Sequence, residues 1–204
     1  MSAGANPLTG PFPTRVRLGG RLYPLGWRVS DCLPVILAYE NDRLTPGEQQ
    51  EILLRRLYPE RPADLEGAIR LGVAFLNGGE GQQDENEPEE EAENPLRLYS
   101  FDRDGGLIYS AFRAQYGIDL QREELHWWAF LALFHDLSPD CRFYQLLRLR
   151  RGYLEGTLSR EEEHLFEHMG PEALPPAQPG DREADEHAME FLRLLEGGDP
   201  GGIR

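Results

Sequence analysis

The chain contains no lysine, so all 21 of its basic residues are arginines. Chemistry that needs a lysine of its own, such as a Schiff base or the phosphate-gripping lysine of a P-loop, is excluded. Cysteine is nearly absent: Cys32 and Cys141 lie far apart and outside any CxxC or Cys/His metal spacing. Both fall at predicted helix starts, where a thiol can be acidified, but neither has the surroundings of a nucleophile, and buried structural thiols are expected. No apolar run approaches membrane-spanning length, and the opening MSAGANPLTGPFP carries no apolar leader. The expectation is a chain in the cytoplasm with reduced thiols and no membrane partner.

Positive charge is scarce as well, with 36 acids giving a net charge of -15. A field of that sign repels phosphate backbones and anionic lipids, which argues against nucleic acid and favours a basic or amphipathic protein partner. Much of the acidity sits in GGEGQQDENEPEEEAENP, residues 78–95, which has no large apolar residue and reads as an exposed acidic loop. A length of 204 residues suffices for one good core.

What remains is helical in rhythm. Residues 1–14 are rich in Gly, Pro and small polar residues and read as a flexible tail. In VRLGGRLYPL, Val16 and Leu18 alternate with Arg17, and Gly19-Gly20 supplies a two-residue hairpin turn. A first helix is expected to open at Ser30 or Asp31 and bury Leu33, Ile36 and Leu37, with Pro34 tolerated in the first turn. Thr45, Pro46 and Glu48 form a capping box ahead of Ile52, Leu53, Leu54 and Leu57, and Pro59 ends that helix. A third helix shows the stripe Leu65, Ala68, Ile69, Gly72, Val73 and Leu76 and stops at Asn77 and Gly78.

Further on, Asp102 reads as the N-cap of a helix carrying Ile108, Ala111, Phe112 and Gln115 on one face, with Gly117 as its left-handed end. The next helix, about 122–136, is apolar on nearly all sides, which marks a central element. Ser138 and Pro139 open another, bearing Phe143, Leu146 and Leu147. Ser159 with Glu162 is a second capping box, for a short helix ending near Gly170 and Pro171. After a proline-rich linker, Ala184, Ala188, Phe191, Leu192 and Leu195 mark an amphipathic helix at about 182–196. The fold class is mainly α: a compact domain of about six to seven helices at 15–170 with a short N-terminal β-hairpin, then a Pro/Gly linker and last helix at 171–204.

Three patterns could carry chemistry. HLFEH at 164–168 matches the H-x-x-E-H arrangement of inverted zinc peptidases: His164 and His168 share a helical face, and Glu167 could hold a water. No third ligand accompanies them, and two histidines on a charged helix more often belong to a solvated face. RLRRG at 148–152 gathers Arg148, Arg150 and Arg151, a small nucleic-acid contact or, given the acidic whole, a salt-bridging face. His126 and His135 flank the tryptophan helix too far apart to form a pair, and His126 reads as a hydrogen-bonded histidine at the core edge. No pattern demands a cofactor, and the expectation is that the chain is not an enzyme.

The order of residues is more informative than their chemistry. YSFDRDGGLIYSAFRAQYGIDLQREELHWWAFLALFHDLSPDCRF, residues 99–143, resembles the signature of the bacteriophage "gene product fifteen" family found among tail genes of long-tailed phages and prophages. The matching residues include Asp102, Ile108, Tyr109, Phe112, Tyr116, Gly117, Asp119, His126, Trp127, Trp128 and Phe130, and the weaker likeness runs over about 15–170. The later helices depart from the family, which is lysine-rich there, and the acidic loop and the tail beyond Pro171 are local elaborations. The resemblance implies a helical tail assembly protein in the host cytoplasm, a chaperone that coats the apolar tape-measure protein. Other tail proteins, or further copies of the chain, are alternative partners. The alternative role is a structural tail or connector component. The signature aromatics are expected to be mostly core, with one face open to a partner as the other reading.

Overall fold

A computed structural model of the chain describes residues 10–79 and 96–177. Among these are one hairpin and seven α-helices, so the protein is mainly α. They fall into two compact units, one of residues 10–79 and 100–145, the other of 96–99 and 146–177. The expected last helix at 182–196 and nearly all of the acidic stretch lie outside the described residues.

In the first unit, β1 (Arg15–Leu18) pairs antiparallel with β2 (Arg21–Pro24) in the register Val16 to Tyr23 and Arg17 to Leu22. Gly19 and Gly20, at φ 54° and 81°, make the two-residue turn that only positive φ at both positions allows. Val16, Leu18 and Tyr23 point inward, while Arg15, Arg17 and Leu22 face out.

Helix α1 spans Val29–Glu40 and opens earlier than expected, behind Arg28, whose amide N–H donates to the Asp31 carboxylate. Pro34 therefore lies in the second turn. The buried face is Val29, Cys32, Val35 and Ala38, not Leu33, Ile36 and Leu37, which are half-buried. The crossing against its neighbours selects small side chains that let helix axes approach. The Cys32 thiol sits at 3.4 Å from the Gly26 carbonyl, and burial pushes its pKa far up, so it is an inert core group.

Helix α2, Pro46–Leu57, starts as its capping box requires, with Thr45 and Glu48 bonded reciprocally. Helix α3, Leu65–Leu76, is capped by the Asp64 side chain on the Gly67 amide. Its buried face is rotated from the expected stripe: Phe75 is fully buried, whereas Leu65 and Val73 are exposed. Gly72 lets α2 come close, since a Cβ there would meet the Leu53 side chain at 2.8 Å.

Helix α4 runs Phe101–Tyr116 and ends at Gly117, which takes the expected left-handed conformation, φ 72°. Helix α5 is only Trp127–His135, shorter than expected because 122–126 is spent on a turn and an extended bridge between His126 and Arg28. Backbone bonds from Trp127 to Trp27 and from Val29 to Leu125 complete that bridge. Helix α6, Arg142–Glu155, begins three residues beyond Pro139, because Ser138 closes a turn on the amides of Asp140 and Cys141.

The second unit takes the rest of α6, then α7 (Arg160–Met169) and a 3-10 turn at Gly170–Glu172. The Ser159 and Glu162 capping box forms as expected. Gly152 gives Leu158 room to fold back onto α6.

Candidate partner-docking surface

The signature residues assemble inside the first unit. Asp102 is not the N-cap of α4: Ser100 is, and Asp102 lies exposed in the first turn. The carboxylate of Glu40, the last residue of α1, accepts the amides of Phe101 (3.0 Å) and Asp102 (3.2 Å) and the Ser100 hydroxyl (2.9 Å). A negative group thus sits at the positive end of the α4 dipole. No sequence pattern marks Glu40 for this, because the pairing spans about sixty residues.

From α4, Ile108 and Phe112 turn inward, and the Phe112 ring stacks on Phe130 at 5.0 Å and 11°. Phe130 stacks in turn on Trp127 and Phe134, at 5.2 and 5.8 Å, so the aromatics form a continuous buried ladder. The tyrosines tie the ends together: Tyr116 donates to the Leu133 carbonyl (2.9 Å) and Tyr109 to the Asp119 carboxylate (3.2 Å). Asp119 also accepts from the Gln121 amide and faces Arg122 at 3.8 Å, which orders the turn into α5.

The tryptophan pair has a specific use. Trp127 Nε1 donates to the Leu76 carbonyl and Trp128 Nε1 to the Phe75 carbonyl, each at 2.8 Å. Those carbonyls lie in the last turn of α3; that of Phe75 also accepts the Gly78 amide at 3.1 Å, and the two indoles cap the helix end from outside. Trp127 is fully buried, and Trp128, half-buried, stacks on Phe75 at 5.7 Å.

His126 caps α5. Its Nδ1 accepts the Trp128 amide at 3.0 Å, while Nε2 donates to the Pro13 carbonyl at 3.0 Å, an arrangement that requires the neutral ring. Burial lowers its pKa, partly opposed by the bond to Pro13. The ring lies between Phe12 at 4.9 Å and Trp27 at 5.3 Å. Residues 10–14 are therefore a strap held on the aromatic cluster, not a loose tail, and the Thr14 carbonyl accepts the Leu25 amide. An aromatic between two prolines, Pro11-Phe12-Pro13, is the sequence signal that could have shown it.

The second unit is built differently. Arg150 of the RLRRG stretch is not on a basic face: it is 1% exposed, and its guanidinium donates to the Leu98, Glu172 and Ala173 carbonyls. Arg148 and Arg151 are both exposed, and Arg148 pairs with Glu162 at 3.3 Å. On α7, Phe166 turns in and stacks on Tyr153 at 4.6 Å and 9°. His164, Glu167 and His168 all point to solvent, and no group of three or more His, Cys, Asp or Glu able to hold a metal occurs among the described residues.

Exposed apolar side chains are concentrated here. Leu96, Tyr153, Leu165 and Leu174 are each exposed by more than two fifths. Among the described residues, no helix is long and apolar enough to cross a membrane. The arrangement is that of a helical scaffold with a closed aromatic core and a second, partly open helical unit.

The family model described as Bacteriophage Gp15 protein matches residues 8–171. The chain belongs to that phage protein family. No curated protein and no solved structure matches it.

Proposed function

We propose that this phage protein is a non-enzymatic tail assembly factor, a chaperone that binds the tape-measure protein in the host cytoplasm before the tail tube polymerises. The observation that carries the reading is the set of exposed apolar side chains on the second unit, Leu96, Tyr153, Leu165 and Leu174. Exposed apolar groups next to charged helix faces suit a partner that offers amphipathic helices.

Charge supports the same role. The described residues carry 18 arginines against 21 carboxylates, while 80–95 and 178–204 together carry 15 carboxylates against 3 arginines. The near-neutral helical units make contact, and the acidic segments keep the complex soluble.

Co-expression with the tape-measure protein encoded beside the chain tests this. The otherwise insoluble partner is expected to become soluble and to co-purify at moderate salt. A tape measure that stays insoluble, or a chain found at fixed stoichiometry in finished virions, contradicts the chaperone role.

A further inference from the structure

We propose that His126 is a proton-operated latch: its neutral ring holds the 10–14 strap closed over the start of α5, and protonation releases that strap. Two bonds of opposite sense converge on one ring, Trp128 amide to Nδ1 and Nε2 to the Pro13 carbonyl. A proton on Nδ1 turns the acceptor into a donor, so the α5 cap is lost and an N–H faces an N–H. The Nε2 bond to Pro13 by itself favours the charged ring, but burial between Phe12 and Trp27 outweighs it and the cap is lost, so the ring on which Phe12 and Pro13 rest shifts.

Among the described residues, little else keeps the strap. Phe12 stacks on His126 and meets the edge of Trp128 at 6.3 Å, and the Thr14 carbonyl accepts the Leu25 amide at 2.9 Å. Its residues 10–14 form no helix or strand. Opening would uncover the Trp27, His126 and Trp128 faces, a flat aromatic seat already shown to fit a proline-flanked phenylalanine.

The surrounding charges do not hold the ring protonated. The strap contributes none. From the other side, the Arg28 guanidinium lies over Trp27 at 4.8 Å and pairs with Glu124 at 2.8 Å and Asp31 at 4.0 Å. Helix α3 presents Phe75 edge-on at 6.1 Å, with its charged Glu66 and Arg70 more than a turn earlier, and α5 presents Trp127 and Trp128.

The sign follows from burial. The closed ring has a pKa below the ordinary 6.5, so the open state takes the proton more readily. The latch is therefore whole above about pH 6.5 and loosens as pH falls toward the closed-state value. Carboxylate losses come later, because Glu48 and Glu162, held by their capping bonds, and Glu51, held by Arg61 and Arg55, titrate below the usual 4.5.

NMR of the full chain between pH 8 and 5 tests the latch, following the His126 ring and hydrogen exchange at the Leu25 and Trp128 amides, with Phe112 as the reference for global unfolding. Corrected protection at Leu25 and Trp128 is expected to fall below about pH 6.5, by at most about tenfold per pH unit, the limiting slope of one linked proton, while Phe112 holds. His126→Gln, which keeps a donor and an acceptor, is expected to lose that slope. In Phe12→Ala the His126 midpoint is expected to rise toward the ordinary value. A His126 ring that titrates without change at either amide overturns the latch. So does an equal slope in His126→Gln, or an unmoved midpoint in Phe12→Ala.

Discussion

The two units bury different things. Of the eleven largest fully buried side chains, ten lie in the first unit and are apolar, from Val16 to Phe143; the one in the second is Arg150. Conversely, half of the eight large exposed apolar side chains lie in the second unit, which has 36 of the 152 described residues. A core of stacked aromatics closes on itself, each buried ring contributing about 1.5–3 kcal/mol relative to exposure. A buried guanidinium on three carbonyls is a bolt, whose hydrogen bonds are offset by the loss of hydration. The second unit is therefore the one expected to open locally and to accept a partner.

Trp127→Ala should have the largest effect. It removes a ladder ring and a cap from α3, and a loss of about 3–5 kcal/mol is expected in chemical denaturation, with the first unit unfolding. Arg150→Leu is next: it leaves the Leu98, Glu172 and Ala173 carbonyls without the guanidinium, a loss of about 2–3 kcal/mol confined to the second unit. Exchange of the α7 amides should rise while α4 stays protected. If both units loosen together, the contrast between a closed core and a bolt is wrong.

The two capping boxes sharpen the comparison, since Thr45 and Ser159 accept their amides at the same 3.3 Å. Thr45→Ala and Ser159→Ala should each cost about 1 kcal/mol, the first read in the global midpoint and the second only in exchange of α7. Leu165→Asp should be the smallest, within about 0.5 kcal/mol of the parent by denaturation, because the side chain is half exposed. On the proposed chaperone role, its effect falls on tape-measure capture, which it should weaken.

What could be read from the sequence was what is decided locally. Both capping boxes, the Gly19-Gly20 turn and the left-handed Gly117 depend on residues within a few positions of each other. Helix faces were less legible. Cys32, Val35 and Ala38 win the buried side of α1 over the bulkier Leu33, Ile36 and Leu37 because neighbouring helices, not hydrophobicity, decide which face is covered.

Trp127, Phe130 and Phe134 of the tryptophan run are buried, but the order of the run hides its use. Trp127 and Trp128 differ by one position, yet both reach the end of α3, and His126 before them is a cap that shortens α5. Arg150 could not be told from Arg148 and Arg151 by composition, since its distinction is three carbonyls brought together from two distant segments.

The most direct test of the division of labour is hydrogen exchange on the full chain, alone and co-purified with the tape-measure protein. New protection concentrated at 96–99 and 146–177, with 100–145 unchanged, is the predicted result. Protection centred on the aromatic ladder and the Trp127–Trp128 clasp, with α7 unaffected, would contradict it.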